Sequence, residues 1–264
     1  MLDYKTALIT GASAGIGTAY AEALAAKHLD LVLVARSAAR LNELAAQLER
    51  DYAVKATVIA ADLSTPGAGI ELGKAVAQRG IQVDLLVNNA GFGTAGEFHL
   101  QDAGRERQEI LLNAAAVVDL CHAFLPDMVA RKRGGVLNVA SSAAFQPTPY
   151  MTVYGATKAF VLSFTEGLRG EYRGLGLRIC ALCPGPVKTE FFAATGQEDK
   201  MMSTIPKGIM LTPERVVADS LAALEADKGV CVPGLTMKAL ALVNGLTPRD
   251  LLVSASARVM KKLK

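Results

Sequence analysis

The stretch Thr6-Ala-Leu-Ile-Thr10-Gly11-Ala-Ser13-Ala-Gly15-Ile16-Gly17 decides the fold. It starts as a β-branched and apolar run, turns through closely spaced glycines, and enters the helical pattern Thr18 to Lys27. Glycine permits a tight turn and a close approach of backbone to a ligand, and a helix N-terminus favours anions. Gly11, Ser13, Gly15, Ile16 and Gly17 therefore read as a cradle for a pyrophosphate. The strand–turn–helix setting separates this reading from an ordinary glycine-rich turn.

Working outward, Leu31 to Val34 is a second strand, apolar throughout, as a parallel strand covered on both faces should be. Ser37 to Arg50 is an amphipathic helix with Leu41, Leu44 and Leu48 on one face. Strands follow at Val54–Ala60, Val83–Val87, Gly135–Val139, Leu177–Leu182 and Gly229–Pro233, and helices at Pro66–Arg79, Asp102–Arg131, Thr152–Gly174 and Pro213–Asp227. Pro126 is expected as a kink or break in the long helix. Strand and helix alternate with no linker and no repeat. The pattern predicts one Rossmann-type, doubly wound α/β domain with a parallel sheet of about seven strands. Residues 1–234 carry the dinucleotide-binding and catalytic domain, residues 190–211 a substrate lid, and residues 235–264 an extra helical segment.

Composition narrows the field. The 264 residues are 51% hydrophobic and 20% charged, enough for a sizeable core. A net charge of +3, no Trp and 5% aromatics argue against nucleic acid. The N-terminus has no signal-type apolar region, and no apolar run approaches the roughly 18 residues of a membrane span. Cys180 and Cys183 match C-x-x-C but fall in a strand, where positions three apart face opposite ways. They read as buried structural thiols. His28, His99 and His122 show no metal-ligand spacing, so no metal site is expected. A reducing cytoplasm fits these features.

Two features carry chemistry. The second strand ends Val34-Ala35-Arg36-Ser37, with Ala35 where an acid that binds the NAD ribose would stand. Arg36 follows, and a guanidinium suits a 2′-phosphate, so NADP is expected over NAD. Arg40 is a weaker candidate for the same task. Tyr154 and Lys158 lie four apart on a predicted helix and share a face. A neighbouring ammonium favours the phenolate, which predicts a Tyr154 pKa below its free value and a proton donor usable near neutral pH. Alone, this pair could equally be two surface side chains.

The full set of motifs resembles the short-chain dehydrogenase/reductase superfamily in its standard-length branch, from about Lys5 to Pro233. The matching residues are Thr10-Gly-x-x-x-Gly-Ile-Gly17, Asp62-Leu63, Asn88-Asn-Ala-Gly91, Asn113, Asn138-Val-Ala-Ser141, Tyr154-x-x-x-Lys158 and Pro184-Gly-Pro-Val-Lys-Thr189. The resemblance implies that Asp62 and Leu63 flank the adenine and that Asn89, Ala90 and Gly91 support the adenosine half. It implies that Pro184, Gly185, Val187 and Thr189 hold the nicotinamide side. It also implies a catalytic set of Asn113, Ser141, Tyr154 and Lys158. Ser141 would bond the carbonyl oxygen, Tyr154 give the proton, Lys158 hold the nicotinamide ribose, and Asn113 help position a water. Counting back thirteen residues from Tyr154 selects Ser141, whereas a Ser-Ser-x-Ala pattern would select Ser142. Ser141 is preferred.

The wording around Asn138 to Pro149 is similar to bacterial relatives of the 3-oxoacyl-CoA reductases and 17β-hydroxysteroid dehydrogenases. That resemblance implies NADP-dependent hydride transfer between nicotinamide and a carbonyl or secondary alcohol. Phe92, Phe145, Gln146, Met151, Phe191 and Met202 are candidate pocket walls, and the substrate would be apolar: a 3-oxoacyl thioester, a steroid or an aromatic ketone. A homodimer through the long helices is implied, with a tetramer in doubt because of the added tail. For that tail, ending in Arg258, Lys261, Lys262 and Lys264, packing on the domain or a partner subunit is favoured over membrane contact. The other readings are a non-catalytic NADP-binding regulator, and dehydration or epimerisation by the same cofactor.

Overall fold

The computed structural model describes residues 3–191, 205 and 209–261. Seven parallel strands form one sheet in the order β3-β2-β1-β4-β5-β6-β7. They are β1 (Thr6–Thr10), β2 (Asp30–Ala35), β3 (Ala56–Ala60), β4 (Leu85–Asn88), β5 (Gly134–Val139), β6 (Leu177–Leu182) and β7 (Val230–Cys231). Strand side chains alternate between two cores. Ile9, Leu33, Val87 and Leu137 join one cluster with α1 (Gly15–Ala25), α2 (Ala38–Tyr52) and α7 (Pro213–Glu225). Leu8, Val32, Leu86 and Val136 join the other with α3 (Ala68–Gln78), α5 (Ala116–Ala130) and α6 (Thr152–Tyr172). Helices on both faces explain why the strands read as unbroken apolar runs. Cys180 lies in the first core and Cys183 in the second, and both are free thiols.

The expected elements are present, with edges trimmed by a few residues. The long helix departs most from expectation. It is α4 (Ala103–Ile110), one turn of π-helix at Leu111–Ala115, and then α5, which runs through Pro126. The run Ala103–Ala130 is long and apolar enough to span a bilayer by composition, contrary to the sequence reading. Its apolar side chains Val117, Leu120, Phe124 and Met128 are buried in the second core, so core packing accounts for its hydropathy. Beyond β7 come α8 (Leu235–Leu246) and α9 (Arg249–Met260).

The chain winds outward from β1 to β3 and then returns to β4 on the other side of β1. A crevice opens at the carboxyl ends of strands where such an order reverses. Here it lies beyond Thr10 and Asn88.

Candidate active site

The crevice holds a cavity of about 900 Å³. One end is built by the turn between β1 and α1. Gly11 and Gly15 hold φ of +67° and +57°, a region that disfavours any side chain. A Cβ on Gly15 would also lie 2.9 Å from Thr189 Cγ2. The turn is fixed from across the switch point. Asn89 Nδ2 donates to the Thr10 carbonyl at 2.9 Å and to that of Gly11 at 3.3 Å, and Thr10 Oγ1 accepts from the Asn89 and Ala90 amides, each at 3.0 Å. Gly17 does not line the cavity. A Cβ there would strike the Gly11 carbonyl, so its task is close packing of helix against turn.

Arg36 lines the same end, at the tip of β2. Arg40 lies beside it but is paired with Glu190 at 3.2 Å. Asp62 and Leu63 line the wall beyond β3. Asp62 Oδ1 accepts from the Ser64 hydroxyl at 2.6 Å and from its amide at 2.9 Å, and these bonds hold the Asp62 pKa below its usual value. Pro184, Gly185, Val187 and Thr189 line the opposite wall, with Ala90, Gly91, Ser13 and Ile16 between.

The other end is more apolar. Phe92, Met151, Phe191 and Ile205 face it, as do Met237, Leu240, Val259 and Met260 from the two last helices. Gln146 lines it and accepts from Asn244 Nδ2 of α8 at 2.7 Å. Phe145 packs against the second core instead, and Met202 lies outside the described residues. Most of the lid does too. Its two ends are tied by a parallel bridge between Val187 and Leu211.

Ser141, Ser142, Tyr154 and Lys158 meet where the two ends join. Tyr154 and Lys158 face one way on α6, as four-residue spacing requires. Lys158 Nζ lies 5.8 Å from the Tyr154 ring centroid and donates to the Val139 carbonyl at 2.8 Å. The Phe191 ring sits 5.3 Å from that of Tyr154. Ser141 Oγ accepts from the Ala143 amide at 3.1 Å, and Ser142 donates its amide to the Pro184 carbonyl.

The electrostatics correct one expectation. Burial pushes the Tyr154 phenol up to about 12, with a Ser141 hydrogen bond opposing it. Burial also pulls Lys158 down to about 8. Desolvation of both groups outweighs the attraction that was expected to lower the phenol. Tyr154 therefore carries its proton at neutral pH.

Asn113 does not reach the cavity wall. It is buried in the π-turn, where its Oδ1 accepts from the Phe92 amide at 3.2 Å. Its Nδ2 donates to the Phe92 carbonyl at 2.9 Å and to Thr157 Oγ1 at 3.1 Å. Both ends of the amide are spent on holding Phe92 against α6. One turn earlier, Glu109 escaped the sequence reading. It is fully buried, and its Oε2 accepts from the Thr94 amide at 2.9 Å and hydroxyl at 2.8 Å. Its Oε1 has no hydrogen-bond partner among the described residues, and burial pushes the carboxyl up to about 7. A Glu inside the charged run Arg105 to Glu109 gives no hint in sequence that it faces inward.

The fold and site together define a dinucleotide-binding oxidoreductase. The family model for short chain dehydrogenase matches residues 5–200, and the chain belongs to that family. It is 34% identical over 263 residues to the very-long-chain 3-oxoacyl-CoA reductase-A of Danio rerio, covering 97% of this chain and 78% of that protein. It is 33% identical over 226 residues to the 17-beta-hydroxysteroid dehydrogenase type 3 of the same organism, covering 84% and 70%. A solved short-chain dehydrogenase from Sphingobium yanoikuyae in complex with NADPH superposes with a TM-score of 0.81 at 34% identity, covering 95% of each chain. The chain is thus an enzyme that acts on CH-OH or carbonyl groups.

Proposed function

We propose that this enzyme is an NADP-dependent reductase of a bulky, apolar ketone, with a fatty 3-oxoacyl thioester or a steroid-like ketone as the substrate class. The observation that carries the reading is the junction of one cavity's two ends at Ser141, Tyr154 and Lys158. The glycine turn and Arg36 suit a dinucleotide with a 2′-phosphate at one end, and an apolar chamber suits such a ketone at the other. The residues present fit the cofactor: Gly11 and Gly15 hold positive φ in a turn that lines the cavity, the Arg36 guanidinium lines it with no hydrogen bond or ion pair among the described residues, and Arg40 is engaged by Glu190. Bound NADPH supplies the hydride.

Ser141 donates to the carbonyl oxygen, where negative charge grows. Tyr154, protonated through neutral pH, gives that oxygen its proton. Lys158 holds the nicotinamide ribose and keeps a positive charge near the phenol. Asn113 fixes Phe92, and with it one wall of the site. We also place a homodimer contact on the helices around α4 and α6, where Ile110 and Phe160 are exposed and Phe160 stacks on Phe164.

A panel of ketones and secondary alcohols, followed at the nicotinamide absorbance with NADPH and NADH, tests the reading. NADPH-linked reduction of long-chain 3-oxoacyl thioesters or steroid ketones supports it. Turnover confined to small polar sugars, or to NADH, overturns it.

A further inference from the structure

Helix α8 is built inside out. Its inward face carries Met237 and Asn244, both buried, and Asn244 bonds Gln146 at the cavity rim. Its outward face carries Leu235, Ala239, Leu242 and Leu246, spaced as one stripe of a helix. Leu235 is 84% exposed, Leu242 68% and Leu246 80%. Val243 beside them and Leu251 on α9 are exposed as well. Lys238 is the one charged residue in the twelve of α8. A helix with leucines on its outer side is ordinarily covered by something.

Charge indicates what covers it. Residues 235–264 contain six cations (Lys238, Arg249, Arg258, Lys261, Lys262, Lys264) and one anion (Asp250), a net +5. The whole chain carries +3, so residues 1–234 carry −2. Among the described residues of this segment, Lys238, Arg249, Arg258 and Lys261 are all exposed. A second copy seated on this face by two-fold symmetry would bring two such cationic segments together. An anionic surface would be attracted to both the charge and the leucines.

We propose that the outer face of α8, with Leu251 of α9, docks on an anionic phospholipid surface. The leucine stripe enters the boundary between headgroups and acyl chains, and the cations lie at headgroup level. The inner sides of the same helices supply Met237, Leu240, Val259 and Met260 to the cavity wall. Docking therefore sets the apolar end of the cavity beside the membrane, within reach of substrates that partition there. The docking itself does not rest on the proposed substrate, because vesicle binding is measured without turnover.

The test uses the full-length protein and sedimented vesicles of phosphatidylcholine, with or without 40 mol % phosphatidylglycerol (about that fraction gives a strongly anionic surface). Binding should require phosphatidylglycerol and weaken at least ~5-fold in high salt. The double variant Leu242→Gln/Leu246→Gln should lose at least ~10-fold in vesicle affinity. Neither leucine lines the cavity, so NADPH-linked turnover of a water-soluble ketone without vesicles should be unchanged. Three results overturn the proposal: no binding to anionic vesicles, equal binding to pure phosphatidylcholine, or full binding by the double variant. Conversion of a wild-type dimer to monomer by the same double variant also overturns it, since it would assign this face to a second copy.

Discussion

Tyr154 is a phenol one helical turn from an ammonium, and in this site burial governs both. Spacing alone showed that they share a face, but it could not show that both lose water, which is why the direction of the Tyr154 shift was misread. Glu109 shows the same limit. Its carboxyl is raised from 4.5 to about 7, so the folded state holds a proton that the unfolded chain has released. Between those pH values the native state binds more protons, and stability falls as pH rises. The full fall is on the order of 3 kcal/mol. Glu109→Gln should flatten the curve of denaturation midpoint against pH in that window, and an unchanged curve would show that Glu109 is not the titrating group. Arg36 was legible from the chain because its position at a strand end is set by the motif before it. Arg36→Ala should raise KM for NADPH at least ~10-fold, as loss of a charge-assisted bond to phosphate would. KM for NADH should barely move.

At the scale of elements, the glycines separate by what surrounds them. Gly17 is wedged against the Gly11 carbonyl and Asn89, whereas a Cβ on Gly170 in α6 would meet nothing within 4 Å. Gly170→Ala should therefore stabilise the protein by about 0.5–1 kcal/mol, and Gly17→Ala should destabilise it and weaken dinucleotide affinity. Denaturant melts and cofactor titration distinguish the two. The glycine turn, the strands and most helix spans were readable because each is specified by local pattern. The π-turn at Leu111–Ala115 was not. It is the place where Asn113 bonds Phe92 and Thr157, and contacts between distant segments leave no period in the sequence. The orientation of α8 was equally hidden, since a helix that is apolar nearly all round does not show which side faces the protein.

The whole molecule is a sheet whose reversal of strand order creates one crevice, into which segments from across the chain deliver the site. Ser141 follows β5, Tyr154 and Lys158 stand on α6, and the last two helices close the rim. Topology of this kind was legible because alternation of strand and helix leaves few arrangements. The cavity's closure by α8 and α9 was not, because nothing before β7 requires it. Assembly is tested at this scale: sedimentation should show a dimer, and Phe160→Glu should convert it to monomer, because a buried charge without a partner opposes association. The most direct test of the account is Tyr154→Phe, which removes one oxygen from a partly buried ring. NADPH binding, followed by its fluorescence, should be retained. Reduction of the best ketone in the panel should fall at least ~10²-fold, the loss expected for a missing general acid. Near wild-type reduction by this variant would contradict the assignment of Tyr154 as the proton donor.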